Sequence, residues 1–290
     1  MASSCREVLK LISAHTTHFL LYLGHATDIT HLTRSFARMT LRILNVRIDT
    51  VTQHTIDDYI HRFLREKKLH HIVTVNPEIV MYAQTDNAYA RILDEASLCV
   101  PDGIGLVYAA RHSGTRIKRL TGYDLLTHLM HVAEHEQVPV FFLGGGQDVA
   151  HAAALRIKKK FPGLRVVGAE EGLRHPHEGV PDTSDDEQHK YLIEHLNLVQ
   201  PKILLVAFGH PKQEKWIYEY ASKIPSVRIA VGVGGLFDYI SGKVRRAPWI
   251  FRAAGLEWLF RLVRQPWRLS RIVVATFKFV RQIAKKRKTQ

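Results

Sequence analysis

Polar and glycine residues that could do chemistry follow apolar segments at five places in the chain. The five groups are Thr74 with Asn76, Asp102, Gly144 with Gly145 and Gly146, residues 209–213, and residues 232–238. A carboxylate such as that of Asp102 can take a proton from a hydroxyl group. A glycine turn ahead of a helix presents backbone N–H groups, which suit a phosphate. These residue types indicate a polar site that combines proton transfer with phosphate binding.

The elements that must position these residues alternate along the chain from residue 41. β-like segments are predicted at 43–51, 71–75, 97–100, 138–143, 164–168, 203–208 and 229–233. Helical segments are predicted at 52–67, 76–93, 186–199 and 212–223, with another between the glycine turn and residue 161. This alternation predicts an α/β fold with a Rossmann-like, mostly parallel sheet and helices on both faces. The carboxyl ends of such strands share one edge, so we expect the five groups to converge there.

Charge is distributed unevenly along the 290 residues. The chain carries 41 Lys and Arg against 27 Asp and Glu, a formal net charge of +14. From Lys243 onward there are 14 basic residues and a single acid, Glu257. This excess suits nucleic acid, anionic lipid or phosphorylated substrates. The two cysteines, Cys5 and Cys99, are far apart and indicate a reducing compartment rather than a disulfide framework.

The basic terminal segment has helical spacing. Its arginines recur three and four residues apart and would share one helix face, at Arg261, Arg264, Arg268 and Arg271. Aromatic residues are interleaved with them, at Trp249, Phe251, Trp258, Phe260 and Trp267. One interpretation is a helix lying in a membrane interface with its aromatic residues inserted. The alternative is that the aromatic residues pack on the core while the arginines face water.

Three regions are predicted from these changes in composition. Residues 1–41 form an N-terminal extension, either an amphipathic or targeting segment or a stretch preceding a translation start at Met39. Residues 42–242 form a catalytic domain, and residues 243–290 form a helical, basic and aromatic appendage. Within the domain, residues 172–185 are predicted to be a mobile surface loop because they are rich in Pro, Gly, Asp and His. No stretch of about 18 apolar residues predicts a transmembrane helix.

Metal and dinucleotide sites are both disfavoured. The tightest histidine pairs, His70 with His71 and His175 with His177, lack the Cys or carboxylate neighbours of a recognisable metal site. The FLGGG sequence at 142–146 does not complete the G-x-G-x-x-G fingerprint of dinucleotide-binding dehydrogenases.

Six motifs in order resemble one enzyme family, the WecG/TagA/CpsF glycosyltransferases (glycosyltransferase family 26). The motifs are TVNPE (74–78), VPDGIGLV (100–107), RLTGYD (119–124), FFLGG (141–145), AFGHPKQEKWI (207–217) and GVGGLFDYISGKVRRAP (232–248). The resemblance implies inverting transfer of an N-acetylmannosamine-type sugar (ManNAc or ManNAcA) from a UDP donor. The implied acceptor is polyprenyl-diphosphate-linked GlcNAc, in the synthesis of a cell-surface polysaccharide or teichoic acid.

The resemblance also implies where the enzyme works and with what. We expect a peripheral protein on the cytoplasmic face of the cell membrane, held by anionic lipid, with no metal or other cofactor. A homo-oligomer is compatible with this interpretation. An alternative within the family is another hexose donor, such as glucose or glucuronate, for exopolysaccharide assembly. An alternative from another class is a basic nucleic-acid-binding protein. That alternative gives the six motifs no function, so we expect no nucleic acid as partner.

Catalytic residues follow from the resemblance position by position. Asp102 matches the family's proposed base, with a purely turn-forming role as the alternative. Thr74 and Asn76 would hold hydroxyl groups of the sugar or acceptor, while Asn76 could also cap a helix.

Substrate-binding residues follow in the same way. Gln213 would contact donor or acceptor, and Lys212 would either pair with phosphate or simply begin a solvated helix. The remaining predicted substrate-binding residues are Gly144, Gly145, Gly232, Gly234, Asp238, Arg119 and Asp124. For Asp238, Arg119 and Asp124, the alternative is a structural role.

In this interpretation, residues of the protein must stabilise the negative charge of the leaving UDP. No Asp-x-Asp pair stands at a predicted strand end, so Arg, Lys and backbone N–H groups would stabilise the diphosphate. Arg261, Arg268 and Arg271 match tail arginines thought to complete the family's active site. A solvated or lipid-facing arginine face is the alternative.

Overall fold

Six parallel strands form the central sheet, in a computed structural model that describes residues 40–172, 185–253, 257–264, 266 and 269–287. The strands of this sheet are β3 (His70–Val75), β4 (Leu98–Pro101), β5 (Val140–Gly144), β6 (Val166–Glu170), β7 (Ile203–Ala207) and β8 (Ile229–Gly232). Their order across the sheet is β4-β3-β8-β7-β5-β6. The predicted N-terminal extension, apart from residues 40 and 41, and most of the predicted mobile loop lie outside the described residues.

Helices cover both faces of the sheet. They are α1 (Ile56–Arg65), α2 (Pro77–Ala83), α3 (Asn87–Glu95), α4 (Ile104–His112), α5 (Gly122–His135), α6 (Val149–Lys160), α7 (Asp185–Val199), α8 (Lys212–Tyr220) and α9 (Leu236–Ile240). Successive strand residues point to opposite faces. Ile72 and Phe142 accordingly pack with α1, α5 and α6, whereas their neighbours Val73 and Phe141 join the clusters formed by α2–α4 and α7–α8. The prediction of a Rossmann-like, mostly parallel sheet with helices on both faces is confirmed.

The β-like segment predicted at 43–51 is confirmed only in part, because it lies in a hairpin and not in a single strand. β1 (Thr40–Ile43) pairs antiparallel with β2 (Val46–Asp49) in a separate two-stranded sheet. The turn residues Leu44 and Asn45 have φ values of 46° and 66°, which match the positive φ of a two-residue hairpin turn. The buried carboxylate of Asp49 accepts a hydrogen bond from the backbone N–H of Cys99 at 2.6 Å and so attaches the hairpin to β4.

The single helix predicted at 76–93 is wrong, because two helices occupy this segment. Asn76 caps the first by accepting from the backbone N–H of Ile79 at 3.0 Å. Asp86 caps the second by accepting from the backbone N–H of Tyr89 at 2.9 Å. A second cap residue inside an apolar periodic pattern marks the start of a new helix. Helix α2 accordingly ends at Ala83, and α3 begins at Asn87.

Helical segments also make up the described part of the chain beyond residue 248. They are α10 (Trp249–Ala253), α11 (Glu257–Arg264), α12 (Leu269–Val273), a π-helical turn (Val274–Lys278) and α13 (Phe279–Arg287). Phe279 is 2% exposed and packs in the cluster that contains Val80 and Leu106. The last helices are therefore attached to the core through α2 and α4. None of the described helices combines the length and the apolar character that a membrane crossing requires.

Candidate active site

A cavity of about 1680 Å³ opens at the carboxyl ends of the strands. Residues from all five strand-end groups line it. They include Thr74, Asn76, Asp102, Gly145, Gly146, Gly209, Lys212, Gln213, Gly234 and Asp238. The parallel topology explains this convergence, since every loop that follows a parallel strand leaves from the same edge of the sheet.

Asp102 lies beside Asn76 because the loops after β3 and β4 come into close contact. The backbone N–H of Asp102 donates to the carbonyl oxygen of Val75 at 2.8 Å, which fixes the start of the loop. A Cβ on Gly103 would overlap the ring of Pro77, so only glycine permits this approach. Asn76 caps α2 with its side-chain oxygen and also lines the cavity, so its capping and substrate-holding roles are compatible.

The side chains of Asp102 and Thr74 converge on the amino end of α5. A Cβ built on Gly122, the first residue of α5, would lie 3.9 Å from Asp102 Oδ2 and 3.8 Å from Thr74 Cγ2. The hydroxyl of Thr74 donates to the carbonyl oxygen of Gly232 at 3.2 Å. Thr74 therefore joins the carboxyl end of β3 to the end of β8, beside the carboxylate that is predicted to be the base.

Two hydrogen bonds hold the side chain of Gln213 beside the end of β8. Its Oε1 accepts from the backbone N–H of Gly234 at 2.9 Å, and its Nε2 donates to Glu214 Oε1 at 2.7 Å. A Cβ on Gly232 would lie 2.5 Å from Gln213 Nε2. Gly232 is thus required by the buried Gln213 side chain, which packs directly on it, whereas Gly234 has a positive φ of 51° that favours glycine.

Glu214 does not line the cavity but supports Gln213 from behind, and this role was not predicted from the sequence. It is fully buried, and its Oε2 accepts a hydrogen bond from the hydroxyl of Tyr89 at 3.1 Å. Burial raises the pKa of Glu214, while the hydrogen bonds from Gln213 and Tyr89 partly oppose that rise. The signal available in the sequence was a carboxylate next to Gln213 on the helix predicted at 212–223, but nothing in the chain pointed to Tyr89 as its partner.

The glycine turn after β5 is shaped by packing against β7. Gly144 and Gly145 have φ values of 105° and 85°, and a Cβ on Gly144 would lie 2.9 Å from the backbone carbon of Ala207. The N–H of Gly145 donates to the carbonyl oxygen of Ala207 at 3.0 Å, so it is already engaged within the protein. Helix α6 begins at Val149 rather than directly after the glycines. Gly145 lines the cavity, whereas Gly144 and Gly232 do not.

Basic side chains occupy several walls of the cavity. Lys212 and Arg119 line it, and the guanidinium of Arg246 lies 4.0 Å above the ring centroid of Tyr123. Asp124 does not line the cavity. Its carboxylate accepts from both the backbone N–H and the hydroxyl of Thr121 in the capping box of α5, which is the structural alternative for this residue. The predicted contacts of Arg261, Arg268 and Arg271 concern side chains outside the described part of the chain.

The described tail nevertheless contributes to the cavity, through apolar residues. Ile272, Thr276, Phe279, Val280 and Ile283 form part of its wall. The predicted functions of the tail rested on its arginines and its interleaved aromatic residues, and no role was predicted for the apolar positions after residue 271. An apolar face repeating every three to four residues was the signal, and it applies equally to a helix that simply packs on the core.

Comparison with known proteins identifies the family. The model of the glycosyl transferase WecG/TagA/CpsF family matches residues 41–290. The N-acetylglucosaminyldiphosphoundecaprenol N-acetyl-beta-D-mannosaminyltransferase of Bacillus spizizenii strain W23 is 35% identical over 230 residues, covering 77% of this chain and 84% of the relative. The enzymes of the same name from Bacillus subtilis strain 168 and Staphylococcus aureus strain MRSA252 are 32% and 31% identical. They cover 74% and 79% of this chain, and 80% and 87% of their own lengths. The chain belongs to the WecG/TagA/CpsF family of glycosyltransferases.

Proposed function

We propose that this glycosyltransferase moves an N-acetylmannosamine-type sugar from a UDP donor to GlcNAc carried on a polyprenyl diphosphate. The names of the relatives support both the sugar and the acceptor. The observation that carries the proposal is that Asp102, Thr74, Asn76 and Gln213 line one cavity. A single substrate pair can therefore reach the proposed base and the polar groups around it.

Asp102 acts as the general base in this proposal. It takes the proton from the acceptor hydroxyl, whose oxygen attacks the anomeric carbon of the donor sugar on the face opposite the leaving UDP. The carbon–oxygen bond to UDP breaks as the new glycosidic bond forms, so the configuration at that carbon inverts. A positioned general base contributes typically about 10²–10⁴-fold to a rate.

Charge on the departing diphosphate is stabilised by cationic side chains. Lys212, Arg119 and Arg246 line the cavity and supply fixed positive charge without a divalent ion. Arg261, Arg268 and Arg271 add to this group in the proposal. We accordingly expect transfer to proceed in the presence of EDTA.

Association with the cytoplasmic face of the membrane completes the proposal. Val263 and Phe277 are each 74% exposed on the terminal helices, where the sequence is strongly basic. Exposed apolar side chains beside Lys and Arg suit the surface of an anionic bilayer. The acceptor is lipid-linked in this proposal, so binding at that surface brings the cavity to its substrate.

One assay tests the proposal directly. Purified enzyme is incubated with UDP-ManNAc, UDP-ManNAcA, UDP-glucose or UDP-glucuronate and a synthetic prenyl-diphosphate-GlcNAc acceptor, and release of UDP is measured. We expect turnover with a ManNAc-type donor, and turnover with only glucose or glucuronate would contradict the proposed donor. Asp102→Asn should reduce kcat by at least about 10²-fold while leaving UDP binding intact. Asp94→Asn, a change in an exposed ion pair with Arg42, is the matched control, and full activity of Asp102→Asn would remove Asp102 as the base.

A further inference from the structure

The cavity is larger than one small-molecule site needs. Its volume of about 1680 Å³ exceeds the roughly 300–1,000 Å³ that is typical of small-molecule pockets. The polar groups proposed for chemistry occupy the edge formed by the strand ends. The lining also includes residues of α4 and of the terminal helices, and the proposed function assigns no ligand to this second part of the wall.

This second part of the wall is apolar. From α4 it is formed by Ile104 and Tyr108, and from the terminal helices by Ile272, Ala275 and Val280. Tyr108 is 65% exposed and Val280 is 64% exposed, so both apolar surfaces remain accessible to solvent. Arg111 and His112, at the end of α4, add basic groups to the same side of the cavity.

The wall is attached to the core and is not a loosely associated helix. Phe279 is buried between α2 and α4, and a Cβ on Gly105 would lie 3.7 Å from Phe279 Cε1. Thr276 lies one turn earlier, and its hydroxyl donates to the carbonyl oxygen of Ile272 at 2.7 Å. A fixed apolar wall that continues directly into a polar catalytic edge suits a ligand whose own polarity changes along its length.

We infer that the groove between Tyr108 on α4 and Ala275 and Val280 on the terminal helices binds the first isoprene units of the acceptor's lipid chain. This inference rests on the proposed function, because it takes the acceptor to be a sugar joined through a diphosphate to a prenyl chain. The sugar then lies at Asp102 and the lipid leaves the protein along the apolar wall. The continuity of the groove with the catalytic cavity favours this occupant over a segment of the same chain.

The test is the dependence of kcat/KM on the length of the lipid chain. Acceptors with the same GlcNAc diphosphate and either one or four isoprene units are compared below their critical micelle concentrations, without vesicles. Each fully buried methylene corresponds to about a fourfold preference, so partial burial of the added units predicts that kcat/KM rises by at least about tenfold in the wild type.

Two variants alter the groove from opposite walls. Ala275→Trp fills it, and Tyr108→Ser removes apolar surface from an exposed position where misfolding is not expected. Each should reduce the ratio of kcat/KM for the long and short acceptors to about threefold or less. Tyr191→Ser on α7 is the matched control, because Tyr191 is 61% exposed and does not line the cavity. Because the measurement is a ratio, a general loss of activity does not imitate the expected effect.

The outcomes separate this inference from the proposed function. A wild-type ratio near one, with both acceptors consumed, would show that the chain stays outside the protein and would overturn the inference alone. An unchanged ratio in both groove variants would also overturn it. Failure to use either acceptor with any donor would contradict the proposed function and, with it, this inference.

Discussion

The hydroxyl of Tyr89 on α3 donates to Oε2 of Glu214 on α8 at 3.1 Å, with both side chains fully buried. The other carboxylate oxygen of Glu214 accepts from Gln213, whose side chain in turn accepts from Gly234. Helix α3 is thereby connected to Gln213, a residue that lines the cavity. Removing a donor from a buried carboxylate is unfavourable, because the carboxylate has lost its contact with water and then also lacks the hydrogen bond that compensated for that loss.

Tyr89→Phe should therefore destabilise the fold. The change removes one hydrogen bond to Glu214 and leaves the ring packed, so we expect the free energy of unfolding to fall by about 1–3 kcal/mol. Urea denaturation followed by circular dichroism measures this difference.

A surface pair of the same types supplies the control for this measurement. The hydroxyl of Tyr218 donates to Glu95 Oε2 at 2.8 Å, where the pair is exposed to solvent. Tyr218→Phe should change the free energy of unfolding by less than about 0.5 kcal/mol. Equal effects of the two Tyr→Phe changes would show that the buried hydrogen bond between Tyr89 and Glu214 stabilises the fold no more than the exposed one.

Gly232→Ala should disturb the site as well as the fold. The added Cβ would lie 2.5 Å from Nε2 and 2.8 Å from Cδ of Gln213, a side chain already held by Gly234 and Glu214. Forcing a methyl group into such packing costs typically about 1–3 kcal/mol, and we expect the displaced Gln213 to lower kcat/KM by at least about tenfold. Gly122→Ala, whose Cβ would meet nothing closer than 3.8 Å, is the control for stability. A Gly232→Ala enzyme with wild-type stability and kinetics would contradict this account of the GVGG motif.

The sheet and the edge at which the cavity opens could be predicted from the sequence because both follow from regular physical rules. Strands buried on both faces, such as β7 with its sequence ILLVA, are continuous apolar runs between helical segments. Once a parallel sheet is inferred, Asp102 and Asn76 must lie at the same edge. The hairpin at Leu44 and Asn45 could not be predicted in this way, because neither residue is the glycine that usually signals such a turn.

The parts of the site that escaped prediction depend on contacts between distant segments. The Tyr89–Glu214 bond joins residues 125 positions apart, and no local pattern records it. The apolar wall formed by Ile272 and Val280 is equally a tertiary property, since the same periodicity fits any helix that packs on a core. Asp124 shows the reverse case, because it was predicted to bind substrate and the structure shows the structural alternative, which the capping-box spacing of Thr121 and Asp124 already indicated.

Stability should fall in mild acid because of His71. Burial lowers the pKa of His71 to about 3, and its Nε2 has no hydrogen-bond partner among the described residues. Between about pH 6.5 and that value the unfolded chain binds a proton that the folded chain does not, so the free energy of unfolding decreases as the pH falls. One such proton gives a slope of about 1.4 kcal/mol per pH unit. His70, whose pKa burial lowers to about 4, adds to the slope in the same direction.

His71→Val isolates the contribution of this side chain. Valine suits a buried strand position opposite Ala230, and it cannot titrate. We expect the slope of unfolding free energy between about pH 6 and 4.5 to decrease by about 1.4 kcal/mol per pH unit. Replacing the solvent-exposed His151 by Gln is the control and should leave the slope as in the wild type. A slope that His71→Val does not change would exclude His71 as its source.

Membrane binding can be tested without removing the tail. Deleting the chain after Gly242 would also remove the buried Phe279 and expose the core of α2 and α4, so loss of binding would be confounded with unfolding. Val263→Ser combined with Phe277→Ser changes only exposed side chains on the terminal helices. Each lost apolar insertion weakens binding to a bilayer, so we expect at least about a tenfold lower affinity for anionic vesicles in sedimentation assays.

A control substitution of an exposed apolar residue outside the terminal helices tests whether vesicle binding depends on those helices in particular. Leu198 on α7 is 82% exposed, and Leu198→Ser should leave vesicle binding unchanged if the terminal helices form the membrane-binding surface. Raising the salt concentration should weaken wild-type binding, because Lys278 and Arg281 lie among the exposed apolar residues and their attraction to anionic lipid is screened. Vesicle affinity that is insensitive to Val263→Ser with Phe277→Ser would assign membrane binding to another part of the protein, and the terminal helices would then serve the cavity alone.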